Sequence, residues 1–213
     1  MQKNAVIIKN AVKKFKDATV LKEIDLSIPE GSIYGLVGRN GSGKTVLMKC
    51  ICGFIPLTSG TVTVFDKIIG KDAEFSPYTG FIIENPGFLP QYSGLQNLKF
   101  LSGIKGECTE DQLVQIMELV GLLPYDKKKV GKYSMGMKQR LGIAQAIMDS
   151  PKLLIFDEPF NGLDNRGVSE MRELFLSLKE QGKTILLASH NMEDIQILCD
   201  EVYQMDAGVL TKL

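Results

Sequence analysis

The sequence predicts an α/β fold, a mainly parallel sheet with helices packed on it. Three observations predict it. Short β-rich apolar runs recur at Val6–Ile8, Ile24–Ile28, Ile33–Val37, Thr61–Phe65, Leu153–Phe156 and Thr184–Ala188. Helical periodicity falls between the later runs, and strands alternating with helices build parallel sheets. A glycine-rich segment, residues 38–43, joins one apolar run directly to a helical one.

Each element has its local reason. Pro29-Glu30-Gly31 and Ser59-Gly60 set off the early strands, and a helix follows Gly43 and stops near Gly53. Residues 89–132 read as a mostly helical insertion. Within it Thr109 and Gln112 form a capping-box pattern, Leu113, Ile116, Met117 and Val120 share one helical face, and Gly121 stands where a helix ends. Farther on, Val168, Met171, Leu174, Phe175 and Leu178 mark another helical face, and Met192–Cys199 a short helix.

Composition narrows the classes of function. With 44% hydrophobic and 23% charged residues, the 213-residue chain is globular rather than disordered. Lys+Arg and Asp+Glu both number 25, for a net charge of +0, which argues against a nucleic-acid partner held by broad positive charge. No apolar run approaches the roughly 20 residues that span a bilayer, and Met1-Gln2-Lys3-Asn4 opens no signal peptide. Cys50, Cys52, Cys108 and Cys199 form no CxxC pair, so free thiols in a reducing compartment are expected rather than a zinc site or disulfides.

Ligands on parallel sheets sit at the carboxyl ends of strands, and the chemistry-bearing residues fall there. Gly38-Arg39-Asn40-Gly41-Ser42-Gly43-Lys44-Thr45 follows the run Ile33–Val37 and opens a helix, the context a G-x-x-x-x-G-K-[ST] phosphate loop requires. Glycines let successive N–H groups turn inward onto phosphate oxygens, and the helix N-terminus adds partial positive charge. Lys44 is expected to reach the β- and γ-phosphates and Thr45 to bind Mg²⁺. Leu153–Phe156 ends in Asp157, expected to hold the Mg²⁺, and Glu158, expected to polarise an attacking water. His190, the only histidine, follows Thr184–Ser189 and can hydrogen-bond the γ-phosphate or orient the water.

A further segment makes the resemblance specific. Tyr133-Ser134-Met135-Gly136-Met137-Lys138-Gln139-Arg140-Leu141, with Ser134 23 residues before Asp157, resembles the signature motif of the ATP-binding subunits of ABC transporters. Phe15, 29 residues before Lys44, resembles the family's adenine-stacking aromatic, Asn161-Gly162-Leu163-Asp164 its D-loop, and His190 its switch histidine. The resemblance covers essentially the whole chain. It implies an α/β P-loop NTPase core with a mainly parallel sheet, an N-terminal antiparallel β subdomain and a helical subdomain insertion. One domain spans 1–213, its core and β subdomain at about 1–88 and 133–213, its helical part at about 89–132.

The resemblance also implies a mechanism. Two such subunits pair head to tail, homodimer or close homologues, each ATP lying between the phosphate loop of one copy and Ser134, Gly136 and Asp164 of the other. Hydrolysis then drives a polytopic membrane permease from its cytoplasmic face. A coupling helix of the permease is expected near Phe88, Leu89, Tyr92, Leu95, Leu98, Phe100 and Leu101, most of which read equally as the subdomain's own core.

Three departures stand out. Glu84, in Ile82-Ile83-Glu84-Asn85-Pro86, stands where the family usually has a glutamine in the loop linking ATP to the membrane partner; ionised, it accepts hydrogen bonds but does not donate, and it is expected to ligate the Mg²⁺ or its water. Met135 and Met137 replace a glycine and a glycine or polar residue of the signature, narrowing the backbone freedom at 135. Val46 stands where a second threonine is common, leaving its backbone N–H for the α-phosphate. The Glu84 substitution together with this signature is similar to the subgroup that exports, or confers immunity to, bacitracin and lantibiotics. Soluble relatives of the same fold remain as alternatives. The DNA-repair type would carry a long coiled coil and the translation type two ATPase copies, neither of which is present; the cluster-assembly type stays open. A GTPase lacks an Asn-Lys-x-Asp element here.

Overall fold

The structure, a computed structural model, describes residues 3–16, 18–84, 86–105 and 108–213. Met1 and Gln2 of the chain start and Asn85 of the Glu84 loop lie outside the described residues. The first two strands, β1 (Asn4–Phe15) and β2 (Ala18–Pro29), are longer than the short runs the sequence predicts and pair antiparallel. After β3 (Ile33–Val37) come the glycine-rich loop and α1 (Lys44–Cys52). Next are β4 (Ser59–Val64), β5 (Lys67–Ile68) and β6 (Thr79–Ile82). The middle of the chain carries α2 (Gly94–Lys105), α3 (Glu110–Leu119), a 3-10 turn (Val130–Lys132) and α4 (Met135–Ile147). Then follow β7 (Leu153–Asp157), α5 (Asn165–Glu180), β8 (Thr184–Ala188), α6 (Met192–Leu198), β9 (Glu201–Asp206) and β10 (Val209–Lys212).

Two sheets result. One is antiparallel, in the order β2-β1-β4-β5; the other runs β10-β9-β3-β8-β7-β6, parallel from β9 to β6 with β10 antiparallel at its edge. The period-2 alternation of each central strand divides the core between two faces. Ile33, Val37, Leu154, Phe156, Ile185 and Leu187 pack toward the later helices. There Phe156 stacks on Phe175 of α5 at 4.6 Å and 15°. Tyr34, Leu36, Leu153, Ile155, Leu186 and Ala188 face the other way, onto Leu47, Met48 and Ile51 of α1 and onto the antiparallel sheet. α1 is thereby held between the two sheets, which fixes the direction in which its N-terminus points.

The insertion is helical as expected. Thr109 and Gln112 form the capping box, each side chain accepting the other's backbone N–H, at 3.4 and 2.8 Å. Leu95 and Leu98 are buried in the subdomain, whereas Leu89 and Phe100 are exposed.

Candidate nucleotide site

Strand order builds the site. In β3, β8 and β7, neighbours in the parallel sheet, the carboxyl ends share one edge, so the loops that follow them converge. Thr45 follows β3 on α1 and Asp157 ends β7. The Thr45 hydroxyl donates to Asp157 Oδ2 at 2.5 Å across 112 residues of sequence. Glu158, next along, takes a left-handed backbone (φ 53) that is uncommon for a residue with a side chain. Its N–H donates to the Ala188 carbonyl of β8 at 2.9 Å, and this anchors the turn. His190 Nδ1 lies 2.8 Å from Glu158 Oε2. That distance is a hydrogen bond between the imidazole and the carboxylate.

Lys44 is buried, 6% exposed, and its Nζ donates to the carbonyls of Gly38 (2.6 Å) and Arg39 (3.2 Å). The ammonium is thus aimed back along the curl of its own loop. A cavity of about 790 Å³ opens over α1, lined by Asn40, Gly41, Ser42, Gly43, Lys44, Thr45 and Val46 with Glu84, Asp157 and Glu158. Gly38, Arg39 and His190 line a second, adjoining face of the loop. Ser42, in the first cavity, has a buried hydroxyl with no hydrogen-bond partner among the described residues. Such an orphan inside a glycine loop suits a phosphate oxygen.

The donor set also suits Mg²⁺. No cluster of three or more His, Cys, Asp or Glu able to cage a metal exists among the described residues. Thr45 and Asp157 offer two hard oxygens at the loop's mouth. Mg²⁺ favours this kind of site, with one or two protein oxygens and the remaining positions filled by phosphate and water.

Other expected site residues stand apart from that centre or have local partners. The Glu84 carboxylate lines the cavity but accepts a hydrogen bond from Lys49 Nζ at 2.6 Å. Phe15 is 43% exposed, with Lys13 Nζ 4.7 Å from its ring centroid; Val20, unnoticed in the sequence, lines the cavity. Ser134 Oγ caps α4, accepting from the Met137 N–H at 3.2 Å. Asp164 Oδ1 caps α5, accepting from the Gly167 N–H at 2.9 Å. Ser134 is exposed and Gly136 half-buried, and neither is among the cavity's lining residues.

The structure also adds contacts that the sequence does not show. Met135, 66% exposed, lies over Gly162, where a Cβ would sit 2.5 Å from Met135 Cγ and where φ is +79. Only glycine fits there, so the signature and the D-loop of one chain interlock. Gln139 Nε2 donates to the Glu158 carbonyl at 3.3 Å. Behind the His190 turn, Asp194 is 2% exposed and accepts from Arg172 Nε (2.9 Å) and Nη2 (2.5 Å). Its other oxygen lies 3.4 Å from Ser189 Oγ, which in turn accepts from the Asn191 N–H at 3.1 Å. No local signal marks the Arg172–Asp194 pair, because its partners lie on different helices.

Comparison with known proteins agrees with this geometry. A family model described as ABC transporter matches residues 21–161. The chain is 44% identical over 201 residues to an uncharacterized ABC transporter ATP-binding protein of Bacillus subtilis, covering 94% of this chain and 92% of that one. It is 42% identical over 206 residues to a bacitracin transport ATP-binding protein of Enterococcus faecalis, covering 95% of this chain and 67% of that one. Among solved structures it resembles a dimeric ATP-binding cassette in a post-hydrolysis state bound to ADP and Pi. The TM-score is 0.86 at 22% identity, with 98% of each chain covered.

Proposed function

This chain belongs to the ABC transporter family, and from that premise we propose that it is the ATP-hydrolysing subunit that energises a separate membrane permease. The observation that carries the reading is the convergence of two pairs on one sheet edge, Thr45 with Asp157 and Glu158 with His190.

Lys44 and the N–H groups of residues 38–46 bind the triphosphate, Lys44 exchanging loop carbonyls for β- and γ-phosphate oxygens. Thr45 and Asp157 would hold Mg²⁺, with Glu84 at the cavity wall. When bound, that ion neutralises charge on the β- and γ-oxygens. Glu158 accepts a proton from a water whose oxygen attacks the γ-phosphorus while the bond to ADP breaks. His190 keeps the Glu158 carboxylate aimed. Phe15 offers an aromatic face for adenine.

The second half of each site comes from another copy. Ser134 and Gly136 sit at the N-terminus of a 13-residue helix, a place suited to an incoming phosphate, and Asp164 stands near the junction. Closure on ATP and opening on hydrolysis move the permease. The helical part, about 89–132, and the Glu84 loop dock it, while about 1–88 and 133–213 form the ATPase body. The likeness to a bacitracin transport protein supports export of a peptide antibiotic or another drug, with the subunit at the cytoplasmic face of the membrane and no nucleic-acid partner.

The test is calorimetry and phosphate release with native chain and Lys44→Ala, together with purification from solubilised membranes. Mg²⁺-dependent ATP hydrolysis lost with Lys44→Ala, and co-purification of a polytopic protein, are expected. Unchanged ATP affinity in Lys44→Ala refutes the placement of the phosphates, and purification free of any membrane protein favours a soluble ATPase.

A further inference from the structure

At position 84 an amide would need no counter-charge. The carboxylate present there adds a negative charge to a cavity lined by Asp157 and Glu158 as well as by Lys44 and Lys138, which on the reading above must admit a triphosphate. The structure gives that carboxylate a counter-charge of its own. Lys49 lies four residues after Thr45 on α1, so the two share one helical face, with Thr45 toward Asp157 and Lys49 toward the loop after β6. Its Nζ donates to Glu84 Oε1 at 2.6 Å. The Lys49 side chain is mostly covered, 24% exposed, while that of Glu84 is 63% exposed. The covered stem gives the ammonium a fixed place, and Glu84 is the partner that comes to it. Glu84 reaches it from a left-handed backbone, φ 62, a conformation that side-chain-bearing residues rarely adopt.

We propose that Lys49 is a positioning residue. It neutralises Glu84 and holds its carboxylate at the cavity wall, so that an acidic residue at this position is compatible with a polyanionic ligand. The inference rests on reading the cavity as an ATP site. Without Lys49, the freed carboxylate repels metal-free ATP most. It repels MgATP less, because the ion then offsets the added charge.

Equilibrium binding separates these effects without turnover. ATP affinity is measured by calorimetry in EDTA and in excess Mg²⁺ for native chain, Lys49→Met, Lys49→Arg, Glu84→Gln and the double variant Lys49→Met/Glu84→Gln, with thermal unfolding of each as a check on folding. Lys49→Met is expected to weaken metal-free ATP binding about fivefold or more and MgATP binding less than about twofold. Lys49→Arg should restore native values, and in the Glu84→Gln background the Lys49 substitution should have no effect. Equal losses with and without Mg²⁺ overturn the proposal, as does a Lys49→Met effect that persists with Glu84→Gln; both would make Lys49 a direct phosphate contact or a merely structural residue. Failure of the native chain to bind ATP overturns the nucleotide-site reading, and this inference with it.

Discussion

Glu158 Oε2 and His190 Nδ1 meet at 2.8 Å across the ends of β7 and β8, and the His190 backbone N–H approaches the same oxygen at 3.4 Å. Side chain and main chain of one residue thus converge on one carboxylate oxygen, which limits how Glu158 can turn. On the proposed mechanism Glu158→Gln removes the proton acceptor while keeping its shape. Phosphate release is expected to fall by about 10²- to 10⁴-fold, with ATP affinity retained and an ATP-bound dimer accumulating. Steady-state phosphate assays and size-exclusion with ATP check this. A monomer that turns over at the native rate would remove Glu158 from the role.

Ser134 has a structural duty, so its test needs two substitutions. Ser134→Ala loses the cap on α4 and is expected to cost about 1 kcal/mol of stability, besides impairing hydrolysis. Ser134→Asn preserves a capping side chain and separates the two effects. If sites are composite, mixing Ser134→Ala with Lys44→Ala regains activity that neither variant has alone. The mixed dimer holds one site with Lys44 from one copy and Ser134 from the other. A mixture no more active than its components would place both halves of each site in a single chain.

Arg172 and Asp194 tie α5 to α6 directly behind the His190 turn. Asp194 is almost wholly buried, so Asp194→Ala leaves the Arg172 guanidinium without its main partner. A loss of about 3 kcal/mol or more in urea unfolding is expected. Glu193 still reaches Arg172 Nη1 at 3.1 Å, but it is exposed and cannot replace a buried carboxylate oxygen that accepts from two guanidinium N–H groups.

Glu170 links the signature helix to the helix after the D-loop. Arg140 and Arg166 donate to its carboxylate and hold it below the ordinary carboxylate range. A carboxyl depressed in the folded state contributes stability that is fully present above its unfolded value. That contribution is lost as pH falls through the folded value. Glu170→Gln should therefore be less stable than native near neutrality, and the gap should close as the solution is acidified into that range. Chemical unfolding across an acid pH series reads it, and a gap independent of pH would contradict the assignment.

The sequence by itself determined the parts whose information is local. The phosphate loop, the Asp157–Glu158 pair ending an apolar strand, the capping box at Thr109 and the bounds of β3 follow from turn chemistry, caps and periodicity within a few residues. Tertiary structure alone decided what joins distant residues. The order β3-β8-β7 brings Thr45 to Asp157 and His190 to Glu158, and no spacing in the chain encodes that order. β6 escaped notice because Thr79–Ile82 is short and holds Gly80, where a Cβ would lie 1.8 Å from the Ala146 carbonyl of α4. β9 reads as polar alternation that becomes a strand by pairing with β3, and β10 then adds to its edge. Lys49 looks like any surface lysine until α1 is clamped between two sheets and turned toward Glu84. Backbone propensity acts over one turn or one strand, whereas burial and charge pairing act through space, so only the folded chain could set those partnerships.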